Sequence, residues 1–200
     1  MVHYVSLTPH AGYIEQDDRF LCPKIGVIHG SSGTFYFDCG TSRKQLDVID
    51  ALRKEGAFKN PSYLGISHFH ADHIANFPYF ASCKTYGSSN TAKYVRIDQI
   101  VDARMEVDLG DAKAILLPII SSHSKGSTIL LSDDGVCFVG DALYDNVNQG
   151  GYNRSALFET IKTIEGIDAI SIVSGHDAPY GETKEGVLAF LRNELKKLAL

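Results

Sequence analysis

Three histidines and one aspartate are crowded into one six-residue segment of this chain. The segment and its flanking residue read Ser67-His68-Phe69-His70-Ala71-Asp72-His73, and imidazole and carboxylate groups are ligands of transition metals. An apolar run precedes it, and we expect a strand over residues 63–67. Because side chains alternate along a strand, His68 and His70 would project from one face. A turn would then swing Asp72 and His73 beside them, which predicts ligands for two neighbouring ions.

Three further candidate ligands follow later strand-like runs. His123 comes after an apolar run that ends at Ile120, and Asp141 and His176 each follow an apolar run and a glycine. A glycine at that point permits close approach of the backbone. Rigid elements commonly hold a site with side chains from several strand ends. The sequence therefore predicts that these three side chains join the histidine-rich segment at one edge of the scaffold.

The remaining sequence predicts an α/β chain in which each half begins with strands and ends with a helix. Strand-like runs lie at residues 4–7, 25–29, 34–38, 63–67, 84–86, 106–109, 114–120, 128–132, 136–139 and 169–174. Helical periodicity covers residues 42–55, 153–164 and 183–198, and a helix or turn is expected over 90–95. Residues 30–33 are typical of a hairpin turn, and Ser42 with Gln45 of a capping box. The loop from His10 to Phe20 is either a flap over the metals or a plain connection.

Length and composition fit one enzyme-sized domain over residues 1–200. The chain is 44% hydrophobic and can bury a sizeable core without disulfides. We see no linker or low-complexity stretch that divides it. Two sheets packed face to face, with helices outside, would accommodate the pattern of elements.

Charge and cysteine usage exclude several classes of protein. A net charge of −5 without a basic stripe argues against a nucleic-acid-binding surface. No apolar run approaches the roughly eighteen residues of a membrane span, and the first residues lack a secretory signal. The four cysteines show neither metal-type nor disulfide spacing: Cys22, Cys39, Cys83 and Cys137. We therefore expect a reduced, cytoplasmic chain in which these thiols are small buried hydrophobes.

These motifs resemble those of the metallo-β-lactamase fold superfamily over nearly the whole chain. The signature is matched by His68, His70, Asp72 and His73, and the later motifs by His123, Asp141 and His176. The resemblance implies a four-layer αββα sandwich with the metals at one edge. It assigns one ion to His68, His70 and His123, the other to Asp72, His73 and His176, and a bridging position to Asp141. It also places Asp38 at a structural position beside the ligands.

One departure from the family pattern is visible: Ser124-Lys125-Gly126 stands where many members have Thr-Pro-Gly. The ligand His123 itself is retained, so only the shape of this loop is affected. Lys125 lies two residues after that ligand, where it either contacts a substrate anion or is a solvated loop lysine.

Imidazole and carboxylate ligands without cysteine suit Zn²⁺, and they suit Fe and Mn as well. Two ions about 3.5–4 Å apart generate a metal-bound hydroxide at neutral pH. The sequence therefore predicts a dinuclear metal-dependent hydrolase with two Zn²⁺ ions and a small-molecule, ester-type substrate such as a lactone, a thioester or a related acyl compound. The resemblance is to the branches that are similar to glyoxalase II and to N-acyl homoserine lactonases. We expect Asp72 to be a catalytic residue, since it would bind the second ion and orient the nucleophile.

Tyr144 lies three residues beyond Asp141, where the lactonases carry a tyrosine. It is a candidate catalytic residue, because a phenol there can donate a hydrogen bond to a developing oxyanion. The alternative is a packing role. A small open site is expected near Tyr13, Lys125 and Tyr144, and a homodimer is one way of completing it.

Two other activities of the same fold remain open. One is a phosphodiesterase or nuclease, although the tRNA-processing nucleases are larger and need a basic surface. The other is an oxidoreductase similar to the persulfide dioxygenases, which use a single iron. An antibiotic-degrading enzyme of class B1 is disfavoured, because those enzymes carry cysteine where Asp141 stands. The full ligand set also disfavours a non-catalytic binding protein.

Overall fold

Two β-sheets form the framework of the computed structural model, which describes residues 1–146, 148 and 150–198. In these residues the first sheet contains seven strands in sequence order: β1 Tyr4–Ser6, β2 Ala11–Ile14, β3 Ile25–Gly30, β4 Gly33–Phe37, β5 Ser62–Gly65, β6 Lys84–Gly87 and β7 Gln99–Ile100. Strands β1 to β4 pair antiparallel, whereas β4 to β7 pair parallel. The parallel half therefore ends its strands at one common edge.

The second sheet contains five strands in the order β12-β11-β10-β9-β8 within the described ranges. Their bounds are β8 Met105–Asp108, β9 Lys113–Ile119, β10 Ser127–Ser132, β11 Val136–Gly140 and β12 Ser171–Ser174. The first four strands form an antiparallel meander, and β12 adds parallel to β11. The carboxyl ends of β11 and β12 consequently lie side by side.

Helices α1 Arg43–Lys54, α2 Ala71–Ile74, α3 Arg154–Gly166 and α4 Lys184–Lys197 complete the described elements, with short 3₁₀ turns at Phe77–Phe80 and Thr91–Lys93. The predicted capping box of Ser42 and Gln45 begins α1. Asn153 and Thr183 cap α3 and α4 by accepting hydrogen bonds from backbone amides of the first turn. Such caps satisfy amides that have no partner inside the helix.

Three apolar clusters show the order of the layers. The central cluster lies between the sheets and joins side chains such as Phe35 and Phe37 to Leu116 and Phe138. A second cluster packs α1 against the outer face of the first sheet. The third packs α3 and α4 against the outer face of the second sheet. Because alternate strand residues enter different clusters, the chain forms the expected αββα sandwich.

Two strands lie where the sequence predicted no strand. Residues 11–14 form β2 between β1 and β3, so this part of the segment from His10 to Phe20 is a strand of the sheet and is neither a flap nor a plain connection. The other is β7, which consists of only two residues. Both strands are too short to appear as a periodic apolar run, and the residues that flank β2 are polar.

The cysteine prediction is confirmed, since Cys22, Cys39, Cys83 and Cys137 are free thiols and all are buried. Burial raises the pKa of Cys137 to about 12, which keeps that thiol protonated and apolar. No helix in the described part of the chain has both the length and the apolar character that a membrane crossing requires.

Candidate metal centre

The histidine-rich segment leaves the first sheet before its first histidine. Strand β5 ends at Gly65, so His68 and His70 do not lie on a strand and the predicted alternation does not apply to them. At Ser67 the backbone bonds to other segments of the chain instead of to a neighbouring strand of the first sheet. The Ser67 amide donates to Asp38 Oδ1 (2.7 Å), and the Ser67 carbonyl accepts from the Thr128 amide (2.8 Å). The two imidazoles still meet, with ring centroids 4.4 Å apart.

Helix α2 positions the second half of the segment. It begins directly after His70 and carries Asp72 and His73 in its first turn. His73 is fully buried, whereas Asp72 is half-buried at the rim. This is the turn that the sequence predicted.

The second sheet supplies the other three side chains from the predicted strand ends. His123 lies four residues beyond the end of β9, Asp141 directly follows β11, and His176 is the second residue after β12. A side chain on Gly175 would place its Cβ 2.7 Å from Asp141 Oδ1 and 2.9 Å from His73. Only glycine fits this close approach.

Four of the predicted imidazole ligands surround one carboxylate oxygen. Asp141 Oδ2 lies 3.3 Å from His73 Nε2 and 3.4 Å from His123 Nε2. The corresponding nitrogens of His176 and His68 are 3.9 and 4.0 Å away. This one oxygen therefore faces four imidazole nitrogens that come from both sheets.

Three groups of potential metal ligands surround this oxygen, and in each group the ligand atoms lie within 4.8 Å of one another. They are His68 with His70 and His123, His68 with His73 and Asp141, and Asp72 with His73 and His176. In the first group, His70 Nδ1 and His123 Nε2 are 3.0 Å apart. In the last, His176 Nε2 and Asp72 Oδ2 are also 3.0 Å apart. The first and last groups match the two ligand sets that the resemblance implied.

Buried polar atoms without partners indicate that the centre is built for a cation. Among the described residues, His68 Nε2, His73 Nε2 and Asp141 Oδ1 are buried and have no hydrogen-bond partner. Leaving such an atom unpaired costs about 1–3 kcal/mol. A transition-metal ion would give the two imidazole nitrogens the partner they lack, whereas Asp141 Oδ1 lies close to Gly175. The donor set is of the type that zinc, iron and manganese accept.

The opposite nitrogens of the same rings are held from behind. His73 Nδ1 lies 2.8 Å from Asp38 Oδ2, and that oxygen also accepts from Ser67 Oγ at 2.8 Å. The same hydroxyl lies 3.0 Å from His68 Nδ1. His123 Nδ1 faces the Asp145 carbonyl at 3.1 Å. Such contacts fix the tautomer of a metal-binding histidine and direct its other nitrogen to the metal.

The pKa values of the proposed ligands are shifted by burial and by the neighbouring charges. Burial and the surrounding imidazoles lower the pKa of His68, which keeps it in the neutral form that binds metals. Burial opposes protonation of His73 as well, but the carboxylates of Asp38 and Asp141 raise its pKa well above the usual value. Burial raises the pKa of Asp141, yet His73 and the neighbouring imidazoles lower it overall. The carboxylate is therefore ionised and available as a ligand.

Tyr144 lies beside the centre with its hydroxyl engaged. The hydroxyl donates to the Asp177 carbonyl at 3.2 Å, and the ring is 6.2 Å from that of His123. Burial and the charge of Asp141 raise the pKa of Tyr144, so the phenol stays protonated and can donate. Tyr13 is part of β2, and its ring lies under the Lys24 ammonium, which pairs with Asp177.

A cavity of about 560 Å³ opens beside the centre. His70 and His123 form part of its wall, together with Lys125. Neither Tyr13 nor Tyr144 is among the described lining residues, so the pocket lies on one side of the region that the sequence indicated. Its volume falls within the range of small-molecule sites.

Solved metallo-β-lactamases share the architecture of this chain. One from Pontibacter korlensis matches with a TM-score of 0.75 and 12% identity, over 96% of this chain and 100% of that one. The metallo-β-lactamase FIM-1 from Pseudomonas aeruginosa, in its mono-zinc form, matches with a TM-score of 0.74 and 12% identity over 100% and 96% of the two chains. One from Cronobacter sakazakii matches with a TM-score of 0.73 and 14% identity over 99% and 98%.

The chain therefore has the metallo-β-lactamase fold, as its motifs indicated. At these levels of identity the likeness is one of fold. No protein-family model matches the sequence, and no curated protein matches it closely.

Sequence reasoning missed the residues that organise the surroundings of the centre. Ser67 carried no signal beyond its position next to His68, yet it connects Asp38 to two of the imidazoles. Tyr94 stacks on Phe69, with ring centroids 4.9 Å apart and planes 9° apart. These two aromatic residues are far apart in sequence, and no local pattern predicts their contact.

Proposed function

We propose that this chain is a metal-dependent hydrolase that holds two transition-metal ions, most suitably zinc, and cleaves a small ester-type substrate such as a lactone or thioester. The observation that carries the proposal is the single Asp141 oxygen facing imidazole nitrogens of both sheets, two of which, His68 Nε2 and His73 Nε2, are buried without a hydrogen-bond partner. One ligand set would be His68, His70 and His123. The other would be Asp72, His73 and His176.

Ions bound there would supply Lewis acidity and lower the pKa of a water molecule toward about 7. The protein's own residues do the rest. Asp38 and Ser67 fix the rings of His73 and His68 from behind. Asp72 lies at the rim, 3.0 Å from His176, where its carboxylate can orient the attacking water. Hydrolysis then joins the water oxygen to the carbonyl carbon, breaks the bond to the leaving group and gives that group a proton.

Tyr144 is the proposed donor to the developing oxyanion. Its raised pKa keeps the proton in place at neutral pH. To act, the hydroxyl must exchange its 3.2 Å contact with the Asp177 carbonyl for the substrate. This exchange is available because the contact is long for an O–H···O hydrogen bond.

Elemental analysis of the purified protein, combined with a substrate panel, tests the proposal. The panel contains chromogenic esters, a thioester, lactones and bis-nitrophenyl phosphate. We expect two zinc ions per chain and turnover of the acyl compounds. His176→Ala should lose one ion, and His3→Ala, a histidine exposed far from the centre in sequence, should keep both.

Two outcomes would replace the proposal. Strong preference for the phosphodiester would identify a phosphodiesterase or nuclease on the same scaffold. One tightly held iron per chain, with no second metal under zinc supplementation, would favour an oxidoreductase of the persulfide dioxygenase type.

A further inference from the structure

Two lysines line the cavity beside the metal centre, although the chain as a whole is acidic. The formal net charge is −5. The cavity wall nevertheless contains Lys93 and Lys125, and among the described residues it contains no aspartate or glutamate. The same wall includes His70 and His123, which are proposed metal ligands. Bound cations would make this side of the cavity more positive still.

The loops that carry the two lysines are packed against each other. Gly126 follows Lys125 and has φ +74°, a conformation that favours glycine. A Cβ at this position would lie 2.7 Å from both Ser88 Oγ and Asn90 Nδ2, in the loop that leads to Lys93. Glycine thus lets the loop after β9 rest directly on the loop after β6. This contact brings the backbone segments that carry Lys93 and Lys125 close together.

A second contact fixes the Lys93 loop to the proposed ligands. Tyr94 stacks in parallel on Phe69, and Phe69 stands between His68 and His70. The Lys93 ammonium donates to Asn90 Oδ1 at 3.0 Å, which orients it without neutralising its charge. Lys125 makes no ion pair or side-chain hydrogen bond within the described residues. Both charges are therefore available to a ligand.

The positive character is confined to the side of the cleft next to the centre. A neighbouring cavity of about 610 Å³ shares Ile120 and Lys125 with the first. Its wall, however, also contains Asp102 and Glu159 together with the partly exposed Ile100. Among the described residues, the acidic side chains of the cleft therefore line the neighbouring cavity and not the one that His70 and His123 line.

From this geometry we propose that Lys93 and Lys125 form an anion-recognition subsite, which selects acyl substrates that carry a carboxylate or phosphate group near the bond that is cleaved. The inference rests on the proposed hydrolase function and names the class of substrate. Lysine suits this role because its ammonium group is a compact charge with three hydrogen-bond donors, which can bind a carboxylate or a phosphate.

The test compares esters that differ only in charge. Metal-loaded enzyme is given p-nitrophenyl hemiglutarate, which carries a free carboxylate, and p-nitrophenyl pentanoate, which is neutral. A third compound replaces the carboxylate by a phosphate monoester and decides which anion is preferred. We expect kcat/KM to be higher for the anionic esters, and we expect added salt to reduce the difference because these charges are exposed.

Lys93→Ala and Lys125→Ala should each lower kcat/KM for the anionic esters by about five- to tenfold, the effect of one partly solvated charge pair. The neutral ester should be hydrolysed at the wild-type rate. Lys44→Ala is the matched control, because Lys44 is an exposed lysine on α1. Equal losses for charged and neutral esters, or no loss for either, would overturn the subsite while leaving the hydrolase proposal intact.

A binding measurement separates failure of the subsite from failure of the proposed function. Titration calorimetry with glutarate on the metal-loaded protein needs no turnover. The double variant Lys93→Ala, Lys125→Ala should bind glutarate at least about tenfold more weakly than the wild type and the Lys44→Ala control. If no ester is hydrolysed but this difference is present, the hydrolase proposal fails and the subsite stands. If all three proteins bind glutarate equally, the subsite is refuted.

Discussion

Replacing Asp38 by Asn tests how far the candidate centre depends on the residue behind it. Asp38 is 1% exposed and has φ +68°, a left-handed conformation that Asp and Asn both tolerate better than most residues. The substitution therefore changes the charge and the donor pattern while keeping the backbone and the volume. Each carboxylate oxygen currently accepts: Oδ1 from the Ser67 amide, and Oδ2 from Ser67 Oγ with His73 Nδ1 close by.

An amide has only one acceptor atom for these groups. If its nitrogen takes the place of Oδ1, it faces the Ser67 amide at 2.7 Å. If it takes the place of Oδ2, it faces His73 Nδ1 at 2.8 Å and favours the tautomer that puts a proton on Nε2, the nitrogen that points at Asp141. One charge-assisted hydrogen bond, worth about 1.5–3 kcal/mol, is lost in either case. The free energy of unfolding should fall by about that amount.

Metal affinity should fall more specifically than stability. Loss of a group that orients a ligand from behind typically weakens metal binding by about 10–100-fold. Competition with a chromophoric chelator measures the affinity, and urea denaturation of the metal-free protein measures stability. Asp47→Asn is the control, because Asp47 is an exposed carboxylate on α1. If Asp38→Asn kept the wild-type affinity for both ions, the reasoning that Asp38 orients His73 would be wrong.

Three further predictions concern the candidate metal centre, and a fourth concerns a buried tyrosine of the core. Asp72→Ala should lose the second ion and lower kcat by several powers of ten, because Asp72 is a proposed ligand of that ion and orients the nucleophile; wild-type activity with two ions bound would refute the dinuclear assignment. Tyr144→Phe should lower kcat for a lactone by up to about a thousandfold if the phenol stabilises the oxyanion, and an unchanged kcat would leave it a packing role. Gly175→Ala should weaken metal binding, since its Cβ would lie 2.7 Å from Asp141 Oδ1; the chelator competition measures this, and Gly166→Ala, with open space around its Cβ, is the control. Burial raises the pKa of Tyr36 to about 12, against about 10 in an unfolded chain. Its contribution to stability is therefore complete below about pH 10 and lost as the pH rises toward about 12, so urea denaturation across this range should show a steeper decline for the wild type than for Tyr36→Phe.

The sequence was most informative where chemistry and local structure coincide. Asp141 and His176 could be predicted because each follows an apolar strand and a glycine, and strand ends of one sheet meet at one edge. The position of His123 followed from the same reasoning. The pattern of elements and the resemblance both indicated the four-layer arrangement, and the three apolar clusters confirm it.

The remaining features depend on contacts between distant parts of the chain. The prediction that His68 and His70 alternate along a strand was wrong, because Ser67 forms hydrogen bonds with Asp38 and Thr128 and the strand ends before it. Strand β2 was missed since its four residues owe their conformation to β1 and β3 on either side. Lys93 could not be placed beside the centre from its local sequence. Its position results from the stacking of Tyr94 on Phe69 and from the contact at Gly126.

The distribution of the ligands between the two sheets has a consequence for the stability of the whole fold. His176 and Asp72 are 104 positions apart in sequence, yet their ligand atoms are 3.0 Å apart. An ion bound by both side chains would cross-link the two sheets of the sandwich. Because the unfolded chain has no such preformed site, free metal at a hundred times its dissociation constant would add about 2.7 kcal/mol to the free energy of unfolding. Metal supply would then determine how long each molecule survives as well as how fast it works.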